Sequence, residues 1–301
     1  MYPLDGRVVF VTGGAGTICS AQTRAMVYLG ANACIIGRNV EKTESAAADI
    51  ATARKGAKVI GIGACDVRDP ENLKKAAERC VKELGSIDFV IAGAAGNFVA
   101  PIMGLSSNGF KSVMEIDVLG TYNTVKATIP YLIESAKRNP NPSTDGLTGG
   151  RILYVSATFH YAGMPMQAHV AAAKASVDAI SASVALEFGP FGVTSNVIAP
   201  GAIEGTEGME RLASSQLGAE FGRRIPSGRM GTIRDIADAT VYIFSDTGNY
   251  VNGEILVVDG ADWRNKGMGV GRDPGMQYPD FLLKGEFSKF VKSGRKEKSK
   301  L

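Results

Sequence analysis

Histidine is nearly missing from this sequence: only His160 and His169 occur among 301 residues. Zinc sites are built from several His, Cys or acidic ligands at short, regular spacings, so no resident metal is expected. The four cysteines, Cys19, Cys34, Cys65 and Cys80, are widely and irregularly spaced. Residues 1–7 lead straight into an apolar run without a secretory pattern, so these cysteines are expected to be reduced thiols. No uncharged apolar run reaches the roughly 18 residues of a membrane span. An excess of either charge is lacking too, with 33 Lys and Arg against 30 Asp and Glu. Residues 284–301 alone hold seven of the basic residues against two acidic ones, which leaves 26 against 28 in the body, a net charge of −2. A nucleic-acid protein shows basic residues clustered on a folded face within a recognisable module. Neither is present, and no nucleic-acid partner is expected. Internal repeats are absent as well.

What is present is a globular composition, 45% apolar and 21% charged, which excludes disorder, collagen and coiled coil. Short apolar runs over residues 8–11, 33–36, 59–63, 89–92, 151–155, 194–198 and 255–258 read as strands. Helix-period segments lie near 18–29, 40–55, 71–84, 110–136, 170–188 and 233–244. Continuously apolar strands separated by helices pair in parallel with both faces covered. Right-handed crossovers then predict a single-domain α/β fold, a Rossmann-like doubly wound sheet of about seven strands with its core over about 7–260. Two segments interrupt the rhythm. Residues 137–150, rich in Pro, Asn, Gly and Ser, read as an exposed loop. Residues 203–229 follow a strand end, where ligands of open α/β sheets bind, and read as a substrate-covering lid.

Thr12-Gly13-Gly14-Ala15-Gly16-Thr17-Ile18 turns the first strand into a helix through glycines. Such a turn brings backbone N–H groups and a helix N-terminus up to a pyrophosphate. The second strand ends in Gly37-Arg38-Asn39, where an NAD site carries an acid for the ribose 2′-hydroxyl. A guanidinium there suits a 2′-phosphate instead, and NADPH is the expected cofactor. Asp66, after the third strand, either bonds the adenine amino group or caps the next helix.

These residues resemble the short-chain dehydrogenase/reductases from about residue 7 to 260. The resemblance rests on Thr12-Gly13, Asp66-Val67, Gly93-Ala94-Ala95-Gly96, Lys174 and Pro200-Gly201. It implies cofactor contacts at Thr12, Gly13, Thr17, Ile18, Arg38 and Asn39, and further along at Asp66, Val67, Gly93, Ala94, Lys174, Pro200, Gly201 and Ile203. The family's TGxxxGxG turn departs here, with Thr17 and Cys19 in place of its later glycines. Its catalytic motif departs further: Val170 stands where Tyr-x-x-x-Lys puts its tyrosine, Ala157 where its serine falls, and Asp117 where its helix asparagine falls. An alcohol dehydrogenase needs that phenol to move the hydroxyl proton.

The same combination, with Ala94-Ala95-Gly96-Asn97-Phe98, Ser156-Ala157-Thr158-Phe159-His160-Tyr161 and Thr206-Glu207-Gly208, resembles the family's peroxisomal 2,4-dienoyl-CoA reductase branch in its fungal form. That branch implies NADPH-dependent reduction of a 2,4-dienoyl-CoA to a 3-enoyl-CoA in β-oxidation of unsaturated fatty acids. Asp117, Lys174 and Asn97 are its expected catalytic residues, and Asn97, Phe98 and Phe159 its expected contacts with the acyl-CoA substrate. Asp117 is otherwise a buried ion-pair partner of Lys174. His160 and Tyr161 are reserve acids. Arg211, Arg223 and Arg224 either meet CoA phosphates or are solvated. Ser299-Lys300-Leu301 spells the peroxisomal import tripeptide, which implies an import receptor as partner and the peroxisomal matrix as location. Family members assemble as homodimers or homotetramers through the helices at 110–136 and 170–188. Two rival readings stay open: another short-chain carbonyl reductase with a relocated acid such as Tyr161, or a catalytically silent NADPH-binding scaffold.

Overall fold

All five residues of β1, Val8–Thr12, are buried. Val8 and Phe10 enter one apolar layer, and Val9 and Val11 the other, as a strand covered on both faces requires. β2 (Asn32–Ile36) divides likewise, Cys34 and Ile36 against Ala33 and Ile35. The computed structural model describes residues 4–140, 149–207, 209, 222 and 225–265. Among them, β3 (Val59–Ile62), β4 (Phe89–Ala92), β5 (Gly150–Val155), β6 (Val193–Pro200) and β7 (Ile255–Val258) complete a wholly parallel seven-stranded sheet in the order β3-β2-β1-β4-β5-β6-β7.

Helices α1 (Thr17–Tyr28) and α2 (Val40–Ala51) cover one face, placing Met26 and Ile50 in its layer. α3 (Pro70–Leu84) covers the other with Leu73 and Cys80. Its limits are written in the sequence. Asp69 accepts from the N–H groups of Glu71 and Asn72, Pro70 opens the first turn, and Gly85 closes the helix at φ +95°, a combination that stops fraying at both ends. After α4 (Ser107–Val113), α5 (Gly120–Arg138), α6 (Phe159–Ala162) and α7 (Ala168–Phe188), α8 (Ile233–Phe244) returns to the first face through Ile236 and Phe244. A short α9 (Asp262–Asn265) follows β7. Among the described residues no helix is long and apolar enough to cross a membrane.

The expected doubly wound α/β sheet is present, with four local differences. The helix expected over 110–136 starts at Ser107, because Ser106 caps it, and it widens to i→i+5 bonding over Met114–Leu119. The widening ends at Gly120, where a Cβ would press on Val67 Cγ2 at 2.5 Å. α5 then continues through Lys137 and Arg138, which were expected in a loop; basic side chains suit the negative end of a helix. α2 ends at Ala51 rather than near 55, because the Thr52 hydroxyl takes the Asp49 carbonyl and Arg54 turns back to the carbonyls of Val27, Gly30 and Ala31. Most of the expected lid, including Arg211, Arg223 and Arg224, residues 141–148 and the tail with Ser299, Lys300 and Leu301 lie outside the described residues.

β1 has β2 on one side and β4 on the other, so the chain leaves it in opposite directions. That reversal opens a crevice beyond the carboxyl ends of the strands.

Candidate active site

Gly13 turns the chain out of β1 at φ +66°. A Cβ there would stand 2.9 Å from Ala94 Cα, so glycine alone lets the β1 and β4 loops meet. The Thr12 hydroxyl ties the junction, accepting from the N–H groups of Gly93 at 3.1 Å and Ala94 at 3.3 Å. α1 then begins at Thr17 with no side-chain cap, whereas Asn39, Asp69 and Thr232 cap α2, α3 and α8. Uncapped first-turn N–H groups at the end of a glycine turn are free to meet an anion. Thr17 and Ile18 are half-buried there.

Gly13, Arg38, Asp66, Val67 and Ala94 line one cleft. Arg38 is exposed on it. Asn39 spends its side-chain oxygen on the Lys42 N–H at 2.8 Å, so it shapes the α2 terminus. Arg68 grips the Asp66 carboxylate, Nη2 to Oδ2 at 2.6 Å and Nε to Oδ1 at 3.0 Å. Those hydrogen bonds hold the Asp66 carboxyl below its usual range. Gly93 would drive a Cβ into Cys19 Sγ, which explains how Cys19 replaces the family's glycine: the missing volume is taken from the opposite loop. Burial pushes the Cys19 thiol up to about 12, with the nearby Lys174 charge opposing. At the far end Pro200 closes β6 and the Gly201 N–H donates to Val258 O at 3.0 Å. The Ile203 side chain is core, packed in the layer beneath the sheet.

Asp117 sits on the widened turn and is fully buried. Its Oδ1 accepts from the Gly96 N–H at 2.6 Å, and its Oδ2 lies 3.1 Å from Lys174 Nζ. Lys174 also donates to Val155 O at 3.0 Å. The Oδ2 contact is an ion pair without hydrogen-bond alignment. Asn97 is half-buried on the loop between Gly96 and Phe98. Phe98 and Phe159 pack against one small cluster of Val113, Val170 and Ala173. The structure thus gathers Asp117, Lys174, Phe98 and Phe159 around the start of α7.

The family model described as Enoyl-(Acyl carrier protein) reductase matches residues 13–260. The chain belongs to the short-chain dehydrogenase/reductase family. It is 49% identical over 285 residues to the peroxisomal 2,4-dienoyl-CoA reductase [(3E)-enoyl-CoA-producing] of Saccharomyces cerevisiae, covering 94% of this chain and 92% of that one. A protein of the same description from Danio rerio is 38% identical over 262 residues, covering 86% and 82%. A short chain dehydrogenase from Bacillus anthracis, known by crystal structure, is 33% identical with a TM-score of 0.74, covering 86% and 97%.

Reductases of this family use a nicotinamide cofactor. The uncapped α1 terminus, the Gly13–Ala94 junction that leaves no room for a Cβ, and the buried Lys174 fit one. Where other family members carry the phenol, Val170 is 2% exposed inside the Phe98–Phe159 cluster, and among the described residues no acid takes that point. The reserve acids are committed elsewhere. His160 Nε2 lies 2.7 Å from Asp178 Oδ2, and the Tyr161 hydroxyl donates to the same oxygen at 3.3 Å. Burial, then the Asp178 charge, pushes the Tyr161 phenol up, which makes it a poor acid. Sequence reasoning passed over four residues that the structure places around the site: Arg68, Gln167, His169 and Asp178. Their partners are carbonyls and side chains distant in sequence, and no spacing announces such pairs.

Proposed function

We propose that this chain reduces 2,4-dienoyl-CoA to 3-enoyl-CoA with NADPH, in the β-oxidation of unsaturated fatty acids in the peroxisomal matrix. One observation carries the reading: the buried Asp117–Lys174 pair stands one helical turn from Val170, in a site without the family's phenol. Interconverting an alcohol and a ketone needs an acid at that point. Reducing a conjugated thioester asks for donors at the thioester oxygen and a proton at the α-carbon. The relatives' printed activity is of the second kind.

When bound, NADPH would supply a hydride for C5 of the diene. Gly13, Thr17 and Ile18 would hold its pyrophosphate at the α1 terminus, and Arg38 would pair with the 2′-phosphate. Thr12, Gly93, Ala94, Asn39, Asp66 and Val67 shape the adenosine end, and Pro200, Gly201 and the Ile203 backbone the nicotinamide end. Lys174 holds the nicotinamide ribose, and its ammonium stabilises negative charge nearby. The Asn97 amide donates to the thioester oxygen, where charge builds as the dienolate forms. Asp117 and Lys174 hold a water that delivers the proton to the α-carbon. Two C–H bonds form, at C5 and at the α-carbon, and the two conjugated double bonds become one between C3 and C4. Phe98 and Phe159 wall the acyl chain.

The α5–α7 face supports a homo-oligomer. Ala175, Ala179 and Ser183 point outward, and Tyr122, Ile129 and Val184 line an apolar groove beside them. Sedimentation of the protein distinguishes a dimer or tetramer from a monomer.

The deciding experiment follows NADPH absorbance with 2,4-hexadienoyl-CoA, and NADH in parallel. Rapid loss of NADPH with a 3-enoyl product, and little loss of NADH, is expected. NADPH binding without turnover would leave the cofactor-binding scaffold as the better reading.

A further inference from the structure

We infer that His169 is a positioning residue: with Gln167 it fixes the Phe98 carbonyl, and so holds the Asn97 amide where the thioester oxygen arrives. The inference rests on the role proposed for Asn97.

The loop after β4 is pinned on both sides of Asn97. On one side the Gly96 N–H donates to Asp117 Oδ1 at 2.6 Å. On the other, Phe98 O accepts from His169 Nε2–H at 3.0 Å and Gln167 Nε2–H at 3.2 Å. The Ala100 N–H donates to Met166 O at 3.1 Å, which ties the loop to the segment entering α7. The Phe98 and His169 rings meet at 4.3 Å between centroids.

Both donors are fully buried, and each has an acceptor, His169 Nδ1 and Gln167 Oε1, without a hydrogen bond among the described residues. Because a carbonyl can only accept, the contact puts the proton on Nε2 and fixes the tautomer. Met166, between the two donors' segment and the loop, holds φ +65°, a left-handed conformation that costs a non-glycine residue. Two buried side chains converging on one carbonyl, beside a residue held in a left-handed conformation, are more than packing alone requires. They are the expected cost of holding a donor to within a fraction of an ångström, as a developing oxyanion requires. Val170 follows His169 directly, so the helix start that lost the phenol supplies this support instead.

The test compares wild type, Asn97→Ala, His169→Phe and the double variant in full-length protein, reading kcat, KM for 2,4-hexadienoyl-CoA, and NADPH affinity. Asn97→Ala should lower kcat about 100-fold, as loss of an oxyanion donor does. His169→Phe should lower kcat about tenfold or more through misplacement, with NADPH affinity held within about twofold. Because His169 acts through Asn97, the double variant should be no slower than Asn97→Ala alone. A kcat for His169→Phe within about twofold of wild type, or losses that multiply in the double variant, overturns the inference. If His169→Phe does not fold, Gln167→Leu removes one donor and is judged by the same cycle. Amide exchange over residues 96–100 gives a readout independent of turnover: it should quicken in His169→Phe. Unchanged exchange overturns the positioning role even if wild type proves to act on another substrate, whereas failure of wild type on the dienoyl-CoA with quickened exchange counts against the reaction alone.

Discussion

Lys174 Nζ lies 3.1 Å from Asp117 Oδ2, with the carboxylate fully buried and the ammonium side chain 9% exposed. A purely structural pair and a proton-delivering pair look alike at rest, but they separate on substitution. Removing one partner of a buried pair costs about 3–5 kcal/mol, so Asp117→Ala mixes folding with catalysis. Asp117→Asn keeps an oxygen for the Gly96 N–H and removes the charge. It should lower kcat by roughly 10²–10³ while NADPH affinity changes only a few-fold. Steady-state kinetics beside cofactor titration checks this; unchanged turnover reduces Asp117 to a structural partner.

Arg38 stands exposed at the end of β2, on the cleft shared with Asp66 and Val67. Hydrogen bonds to charged groups contribute about 1.5–3 kcal/mol, so Arg38→Ala should weaken NADPH by roughly 10- to 100-fold and leave NADH nearly unaffected. Competitive titration of the two cofactors against the variant measures it. An equal loss for both would move the 2′-phosphate contact elsewhere.

The strands were legible because parallel strands buried on both faces read as unbroken apolar runs: the expected 89–92 and 255–258 match β4 and β7 residue for residue. α3 was legible through Asp69, Pro70 and Gly85, which act within one turn of the helix end they define. The widened turn at Met114–Leu119 was not, since its causes, the close approach of Val67 to Gly120 and the pull of Gly96 on Asp117, cross between elements. Asp117, Lys174, Phe98 and Phe159 were placed from aligned motif positions, and the structure gathers them. The second layer, His169 on Phe98 and His160 on Asp178, was invisible, because an isolated histidine carries no periodicity to say which carbonyl or carboxylate it meets.

Asp178 is the hub that fastens α6, and with it Phe159, to α7. One of its oxygens takes both His160 Nε2 and the Tyr161 hydroxyl, and its side chain is 8% exposed. Trp263 closes over Tyr161 at 5.4 Å between ring centroids. Asp178→Ala strands two half-buried partners and should cost about 2 kcal/mol, while Asp178→Asn should cost less than half of that, since the amide oxygen still accepts. Urea unfolding midpoints of the two variants test the order. Equal midpoints would mean that α6 is held by packing alone.

Burial of His169 gives the fold a pH dependence whose sign follows from the direction of its shift. Burial lowers its pKa, against smaller upward effects of the Phe98 carbonyl and the Asp117 charge. An unfolded histidine titrates near 6.5, so below that pH the unfolded chain binds a proton that the folded chain refuses. Stability therefore rises with pH wherever the unfolded state holds more protons. The His169 contribution is complete above pH ~6.5 and is lost as the pH falls toward the lowered folded value, by up to about 1.4 kcal/mol per pH unit. Acidic groups also titrate as the pH falls toward 5, so the quantity to measure is the difference between wild type and His169→Phe in urea unfolding at pH 5.5, 6.5 and 7.5. Wild type should lose more stability between 6.5 and 5.5 than the variant, and the two curves should run parallel above 6.5. Parallel curves throughout would show that the imidazole is protonated as readily folded as unfolded, and would overturn this assignment.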